Sequence, residues 1–281
     1  MNVCLIIDKP ETPHHPVIAA ALRHLSAMHA VRLLDLRALS GPDAIAQEDE
    51  RTPADLYLLK SHAPQALEVA RRLEERGALV VNTWASTSSC QDRALMAQRM
   101  RSVGLPWPHT WSLATLESLL AHPELLVSVP MPLVLKSRYS RRGDLVVKVD
   151  RVEQIQALTA RWGQEPIVVQ ELVSSDGWDI KVWVIEHQVW AARRRSALDA
   201  QSSADSVPVA PDDLPRAWAS LALEIGEVFN LRLYGVDLLI TEQGPVAVDV
   251  NAFPGFRGVP GASSALVALV EQIGRARRST A

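Results

Sequence analysis

The chain has 281 residues, a formal net charge of −3, 48% hydrophobic residues and 22% charged residues, so it is long enough for two or three subdomains and balanced like a packed globular protein. A net negative charge provides no overall positive field for nucleic acid, and Cys4 and Cys90 stand far apart without the paired spacing of a zinc or redox site. No run approaches the ~18 apolar residues of a membrane span, and the start MNVCLIID lacks a basic n-region, so neither a membrane nor a nucleic-acid partner is expected and the location read from the sequence is cytoplasmic.

Short apolar runs alternate with helical patterns over the first eighty or so residues: strands at 3–8, 31–36, 55–60 and 78–82, and helices over 16–29 and 64–76. Runs of this kind are buried on both faces of a parallel sheet, so residues 1–84 are read as a small layered α/β domain. No Gly-x-Gly-x-x-Gly follows the first strand, which removes the dinucleotide fingerprint and leaves a substrate or scaffold role. His14 and His15 lie among prolines and read as surface residues. A polar stretch at 83–91 marks a boundary, and DRALMAQRMRSVG then carries helical spacing with Gly104 at its stop.

Pro106, Pro108, Pro123, Pro130 and Pro132 punctuate the next segment. PLVLKS at 132–137 and DLVVKV at 144–149 form a predicted hairpin with the basic tip RYSRRG, a helix follows over 151–162, and IVVQELV at 167–173 is a strand. These elements make up a second unit, 85–175. The third, 176–281, holds two strands in 179–195 with a turn near Glu186–Gln188, a polar loop over 196–213, and a helix over 214–229. It continues with the pair YGVDLLI and VAVDVN and ends in a helix over 262–276. Trp178, Trp183 and Trp190 fall on strand-like segments and read as packing residues.

Asp249 and Asn251 sit two apart in VAVDVN, so on a strand both side chains share one face. A three-residue loop, Glu242 to Gly244, would place Asp237 of the preceding strand opposite Asp249 on that face, whereas a two-residue loop would put it on the other. Two carboxylates and an amide suit magnesium, which takes a few hard oxygens and keeps places for water and phosphate. Lys136 and Lys181 are cations on otherwise apolar strands. Arg138, Arg141, Arg142 and Lys148 crowd the hairpin beside Lys136, and Arg193, Arg194 and Arg195 follow Lys181, a pattern that suits a polyanion. Absent are the P-loop, the Gly-x-Ser-x-Gly elbow and the His-Glu-x-x-His zinc motif.

Together QDRALMAQRM, PLVLKS with its hairpin, VVQELV, GWDIKVWVI and the pair YGVDLLI and VAVDVNAFPGFRG resemble the ATP-grasp superfamily over residues 85–276. The resemblance is to its ribosomal-modification glutamate ligases and its inositol polyphosphate kinases. It implies an α+β ATP-grasp fold of two lobes with antiparallel sheets behind an α/β pre-grasp domain that helps hold the acceptor. It further implies ATP with Mg2+ or Mn2+, with Arg93, Lys136 and the lid glycine Gly143 at the phosphates. Gln170, Glu171, Leu172 and Val173 would form the edge whose backbone reads adenine. Asp237, Asp249 and Asn251 would hold the metal, and Lys181, Arg193 and Arg195 would serve the γ-phosphate and acceptor. By the same analogy the chain is expected to form a homodimer.

The lid SRYSRRGD has one glycine where such ligases usually have several, so arginines are expected to clamp phosphate or acceptor there. The function expected first is an ADP-forming ligase joining a small-molecule carboxylate and an amine, such as an amino acid or short peptide, through an acyl-phosphate. The alternative is a kinase of a hydroxyl acceptor such as an inositol phosphate, and a third reading is an ATP-binding module without turnover.

Overall fold

The structure is a computed structural model that describes residues 1–38, 53–122, 131–141, 143–196, 198 and 206–280. Pro123, Pro130, Arg142 and much of the 196–213 loop lie outside the described residues.

A four-stranded parallel sheet comes first, built from β1 (Asn2–Ile7), β2 (Ala30–Asp35), β3 (Leu56–Leu59) and β4 (Val80–Val81) in the order β2-β1-β3-β4. Its strands are apolar on both sides because helices cover both. On one face α1 (Pro16–Ser26) and the C-terminal α8 (Ala262–Thr280) pack on Val3, Leu5 and Ile7; on the other α2 (Pro64–Glu75) packs on Cys4, Ile6 and Tyr57. The polar stretch 83–91 is mostly helical. It forms α3 (Trp84–Ser89), because Thr83 caps it by accepting from the Ser86 N–H.

The second sheet is antiparallel, with β5 (Thr110–Leu113), β6 (Leu133–Ser137), β7 (Val146–Val149) and β8 (Ile167–Glu171) in the order β5-β8-β6-β7. The prolines hid β5 and α5 (Leu116–Ala121), which starts where Thr115 and Ser118 cap each other. Leu133, Leu135, Ile167 and Val169 bury one face under α5 and α6 (Val152–Trp162). The alternate residues Val134, Lys136, Val146, Lys148 and Gln170 face a cleft.

The third sheet is also antiparallel: β9 (Trp178–Ile185), β10 (Gln188–Arg195), β11 (Ser206–Pro208), β12 (Leu233–Thr241) and β13 (Gly244–Ala252), in the order β11-β10-β9-β12-β13. Ile180, Val182, Val236, Leu238 and Val250 bury one face together with residues of α4 (Arg93–Ser102) and α7 (Arg216–Phe229). The opposite face supplies the other wall of the cleft. Two half-covered sheets thus leave their polar faces toward each other.

The N-terminal sheet docks at the end of the third sheet where β12 begins and β13 ends. Asn82 accepts from the N–H groups of Arg232 and Leu233 (2.9 and 3.1 Å) and donates to the Leu233 carbonyl (2.7 Å). Lys60 donates to the Phe253 carbonyl (2.6 Å), and burial pushes its ammonium down to about 8. Burial pushes His62 down to about 4, so at neutral pH the ring is neutral and its Nε2–H donates to the Ala252 carbonyl (2.7 Å). His15 is not a free surface residue either: its Nδ1 is buried without a hydrogen bond, and its ring lies where a Cβ on Gly255 would sit 3.2 Å away. No helix among the described residues is long and apolar enough to cross a membrane.

Candidate active site

The cleft between the second and third sheets has a volume of about 630 Å³. Its roof carries Lys136 on β6 and Arg93 at the start of α4; its floor carries Asp179, Arg194, Asp237 and Asp249; the chain crossing from β8 to β9, from Gln170 to Ser175, closes one side.

Asp237 and Asp249 are paired across β12 and β13, but not by the loop length expected from the sequence. Thr241 pairs with Gly244, so the turn is only Glu242-Gln243, which by itself would bring Val248 opposite Asp237. A β-bulge corrects the register: Leu238 pairs with Ala247 and Asp237 with Asp249, leaving Val248 outside the ladder. Val248 and Asp249 both line the cleft, and the Val248 carbonyl accepts from Lys136 Nζ at 3.0 Å. The extra residue re-aims Asp249 and offers the roof lysine an oxygen.

Asp237 is flanked on its other side by Lys181, its register partner on β9, whose Nζ lies 2.7 Å from Asp237 Oδ1. Burial alone would raise the Asp237 carboxyl, but Lys181 and Arg194 outweigh it and hold the group below the usual carboxylate range. Asn251 falls two residues beyond Asp249, opposite Gly235. A Cβ on Gly235 would meet Lys181 Cε and the Val182 carbonyl at 3.3 Å, so this glycine is what lets the lysine stem cross the strand.

Arg93 is 4% exposed and is held by four groups: Asp144 Oδ2 at 2.6 Å and the Ser137 carbonyl at 2.8 Å, both on Nη1, and Ser140 Oγ at 3.5 Å and Asp249 Oδ2 at 3.6 Å, both on Nη2. Its Nε is buried without a hydrogen-bond partner. Burial pushes the Lys136 ammonium down to about 8, with Asp249 opposing that shift and Arg93 adding to it.

At the closing strand, Gln170 is buried and donates to Thr110 Oγ1 (3.0 Å). Glu171 spends its carboxylate on the His109 N–H (3.0 Å), so it is the backbone from Glu171 to Val173, with the apolar Leu172 and Val173, that borders the cleft. Gly143 has φ +76° on the hairpin tip and is not among the residues lining the cleft.

The three arginines of β10 are separated by strand alternation. Arg194 pairs with Asp179 and lines the cleft; Arg193 pairs with Ile180, whose side chain is in the core beneath α7; Arg195 pairs with Trp178 and stacks over its ring at 4.3 Å. Arg193 and Arg195 are therefore not gathered with Lys181, because Lys181 shares its face with Asp179 and, across the ladder, with Arg194. Register counting from the two-residue turn at Glu186-His187 would have singled out Arg194, and the two-residue spacing from Lys181 would have found Asp179. Nothing in the sequence pointed to Asp144 or to the Val248 bulge.

Among the described residues of the arginine-rich lid, Arg138 and Arg141 are both already paired. Arg138 makes a forked pair with Asp92 (Nη2–Oδ2 2.7 Å), and Arg141 pairs with Glu165 at 2.6 Å, which holds the Glu165 carboxyl below its ordinary range. Asp92 also caps α4 by accepting from the Ala94 and Leu95 N–H groups.

Among the described residues no group of three or more His, Cys, Asp or Glu side chains could by itself hold a metal ion. Asp237 and Asp249 instead line the cleft under two cations, a partial oxygen set that fits an ion whose remaining places are filled by phosphate and water; Asn251 follows two residues on along β13 but is not among the residues lining the cleft.

Two antiparallel sheets gripping a cleft, with opposed carboxylates on one and a buried lysine on the other, define an ATP-grasp protein. Residues 108–269 match the RimK-like ATP-grasp domain, and the chain belongs to that family. It is 30% identical over 228 residues to a probable alpha-L-glutamate ligase of Thioalkalivibrio sulfidiphilus, covering 75% of this chain and 73% of the relative. A probable alpha-L-glutamate ligase of Vibrio vulnificus is 28% identical over 221 residues, covering 71% and 68%. Among solved structures, the fold is shared with a RimK domain ATP-grasp protein of Sphaerobacter thermophilus (TM-score 0.73, 20% identity, 97% of this chain and 99% of that one). It is also shared with a D-alanine–D-alanine ligase of Bacillus anthracis (TM-score 0.76, 16% identity, all of both chains). The two glutamate-ligase relatives favour the ligase expectation over the hydroxyl kinase.

Proposed function

We propose that the protein is an ADP-forming ligase that joins a carboxylate to an amine, with L-glutamate as one of its substrates. The observation that carries this reading is the bulge-set opposition of Asp237 and Asp249 beneath Lys136 and Arg93. The glutamate assignment draws on the names of the two relatives, and the sequence resemblance supports the acyl-phosphate route.

In this reading the adenine lies against the backbone of Glu171 to Val173, and the phosphates run toward Lys136, Arg93 and the two aspartates. Asp237, Asp249 and Asn251 would hold magnesium, which would supply charge neutralisation for the polyphosphate. Lys136 and Arg93 donate from the roof to phosphate oxygens, and their low exposure strengthens each contact. Lys181 keeps Asp237 ionised and in place. The γ-phosphoryl leaves ADP for a carboxylate oxygen of the acceptor. The amine nitrogen then attacks the acyl carbon, a C–N bond forms, inorganic phosphate departs and the amine gives up a proton. No protein nucleophile is needed, so catalysis consists of positioning and electrostatics.

The test is incubation with Mg-ATP, L-glutamate and a set of short peptides and amino acids, following ADP, phosphate and product mass together. Equal release of ADP and phosphate with a product heavier by one glutamyl residue supports the proposal. ADP release with phosphate retained on a hydroxyl acceptor refutes it.

A further inference from the structure

Among the described residues five cations stand in or beside the cleft, Arg93, Lys136, Lys148 and Arg194 in its lining and Lys181 next to Asp237, and they differ in how fully each is committed inside the protein. Lys136 donates to the Val248 carbonyl, Lys148 is 2.8 Å from Asp150, Lys181 is 2.7 Å from Asp237, and Arg93 has Asp144 at 2.6 Å and the Ser137 carbonyl at 2.8 Å. Arg194 has no contact of that quality. Its Nε lies 3.7 Å from Asp179 Oδ2 and its Nη2 3.5 Å from Asp237 Oδ2, at or beyond the limit of a useful hydrogen bond, and Nε is buried with no hydrogen-bond partner. Its side chain remains 37% exposed, between two carboxylates that hold the guanidinium by charge without using its donors.

Strand alternation gives Arg194 this position and denies it to its neighbours, since Arg194 and Ala192 lie opposite Asp179 and Lys181 on the cleft face whereas Arg193 and Arg195 do not. We infer that Arg194 is the floor-side cation that binds the nucleotide's polyphosphate, facing Lys136 and Arg93 across the cleft. This rests on the cleft being the nucleotide site. The guanidinium offers a planar fork of donors to phosphate oxygens while Asp179 and Asp237 steady it from behind. Without it, Asp179 and Asp237 would confront the polyphosphate with Lys181 as the floor's remaining cation among the described residues.

The experiment is calorimetric titration of Mg-ATP, Mg-ADP and adenosine into the wild type and into Arg194→Ala, Arg194→Lys, Arg193→Ala and Arg195→Ala, with unliganded melting temperatures recorded. The expected result is that Arg194→Ala weakens ATP and ADP by about 10–100-fold, the range for a charge-assisted contact, while adenosine stays within about twofold. Arg194→Lys recovers part of the loss, and the Arg193 and Arg195 variants bind all three ligands like the wild type. The inference is overturned if Arg194→Ala binds ATP as tightly as the wild type, if it loses adenosine and ATP equally, or if Arg193→Ala or Arg195→Ala loses as much. A wild type that binds none of the three ligands overturns the nucleotide-site reading itself, and the inference with it.

Discussion

Lys136 on β6 donates to the carbonyl of Val248, 3.0 Å away, and Val248 is the residue that the β12–β13 ladder leaves out. The bulge thus sets the register of the proposed metal carboxylates and ties the roof of the cleft to its floor. Because burial has pushed Lys136 down to about 8, its charge is available at pH 7 and is lost as the pH climbs past that value. The ATP KM of the wild type is expected to rise between about pH 7 and 9, and Lys136→Arg to flatten the profile, because the guanidinium stays charged. Initial rates across that range check it, and a flat wild-type profile would contradict it. The sign for stability is opposite: a depressed lysine pKa makes the charged form costly in the fold below pH 8, and this cost is relieved as pH rises toward the unfolded value of 10.5.

Asp92 serves both as the N-cap of α4 and as the forked partner of Arg138. Asp92→Ala is expected to destabilise the protein by about 1–2 kcal/mol, most of it from the lost cap, lowering Tm by roughly 2–8 °C. The Arg138 side chain is 36% exposed, so the ion pair adds little through solvent. Asp92→Asn, which still caps, should lose less than half as much. Thermal denaturation of the two variants separates the contributions; equal losses would show that the pair with Arg138 dominates.

Arg141 is already paired with Glu165 and its side chain is 48% exposed. Arg141→Ala is therefore expected to alter the KM of ATP and of the acceptor by less than about threefold each. A selective rise in acceptor KM would return the lid to the role its arginine content suggested.

Much of the fold was legible because its signals are local. The N-terminal strands, most helices of both lobes and the three hairpins were visible as apolar periodicity bounded by turn residues, and Asp237, Asp249 and Lys136 stood out as charges on apolar strands. What escaped depends on pairing across the chain. Val248 looks like an ordinary strand valine, and only the conflict between a two-residue turn and the Asp237–Asp249 pairing reveals the bulge. Asp144 is a hairpin residue whose importance comes from Arg93, 51 positions away. Arg138 and Arg141 looked free because their partners, Asp92 and Glu165, belong to other elements. Composition shows that a charge is present; tertiary pairing decides whether it remains for a ligand.

The most direct measurement is ADP and free phosphate, quantified together, for the wild type and for Asp249→Ala with Mg-ATP, L-glutamate and an acceptor peptide, alongside the melting temperatures of both. The wild type should release the two products in equal amounts, and Asp249→Ala should lose about 10²–10³-fold in rate while remaining folded. Full turnover by a folded Asp249→Ala would contradict the assignment of the opposed carboxylates as the centre of the reaction.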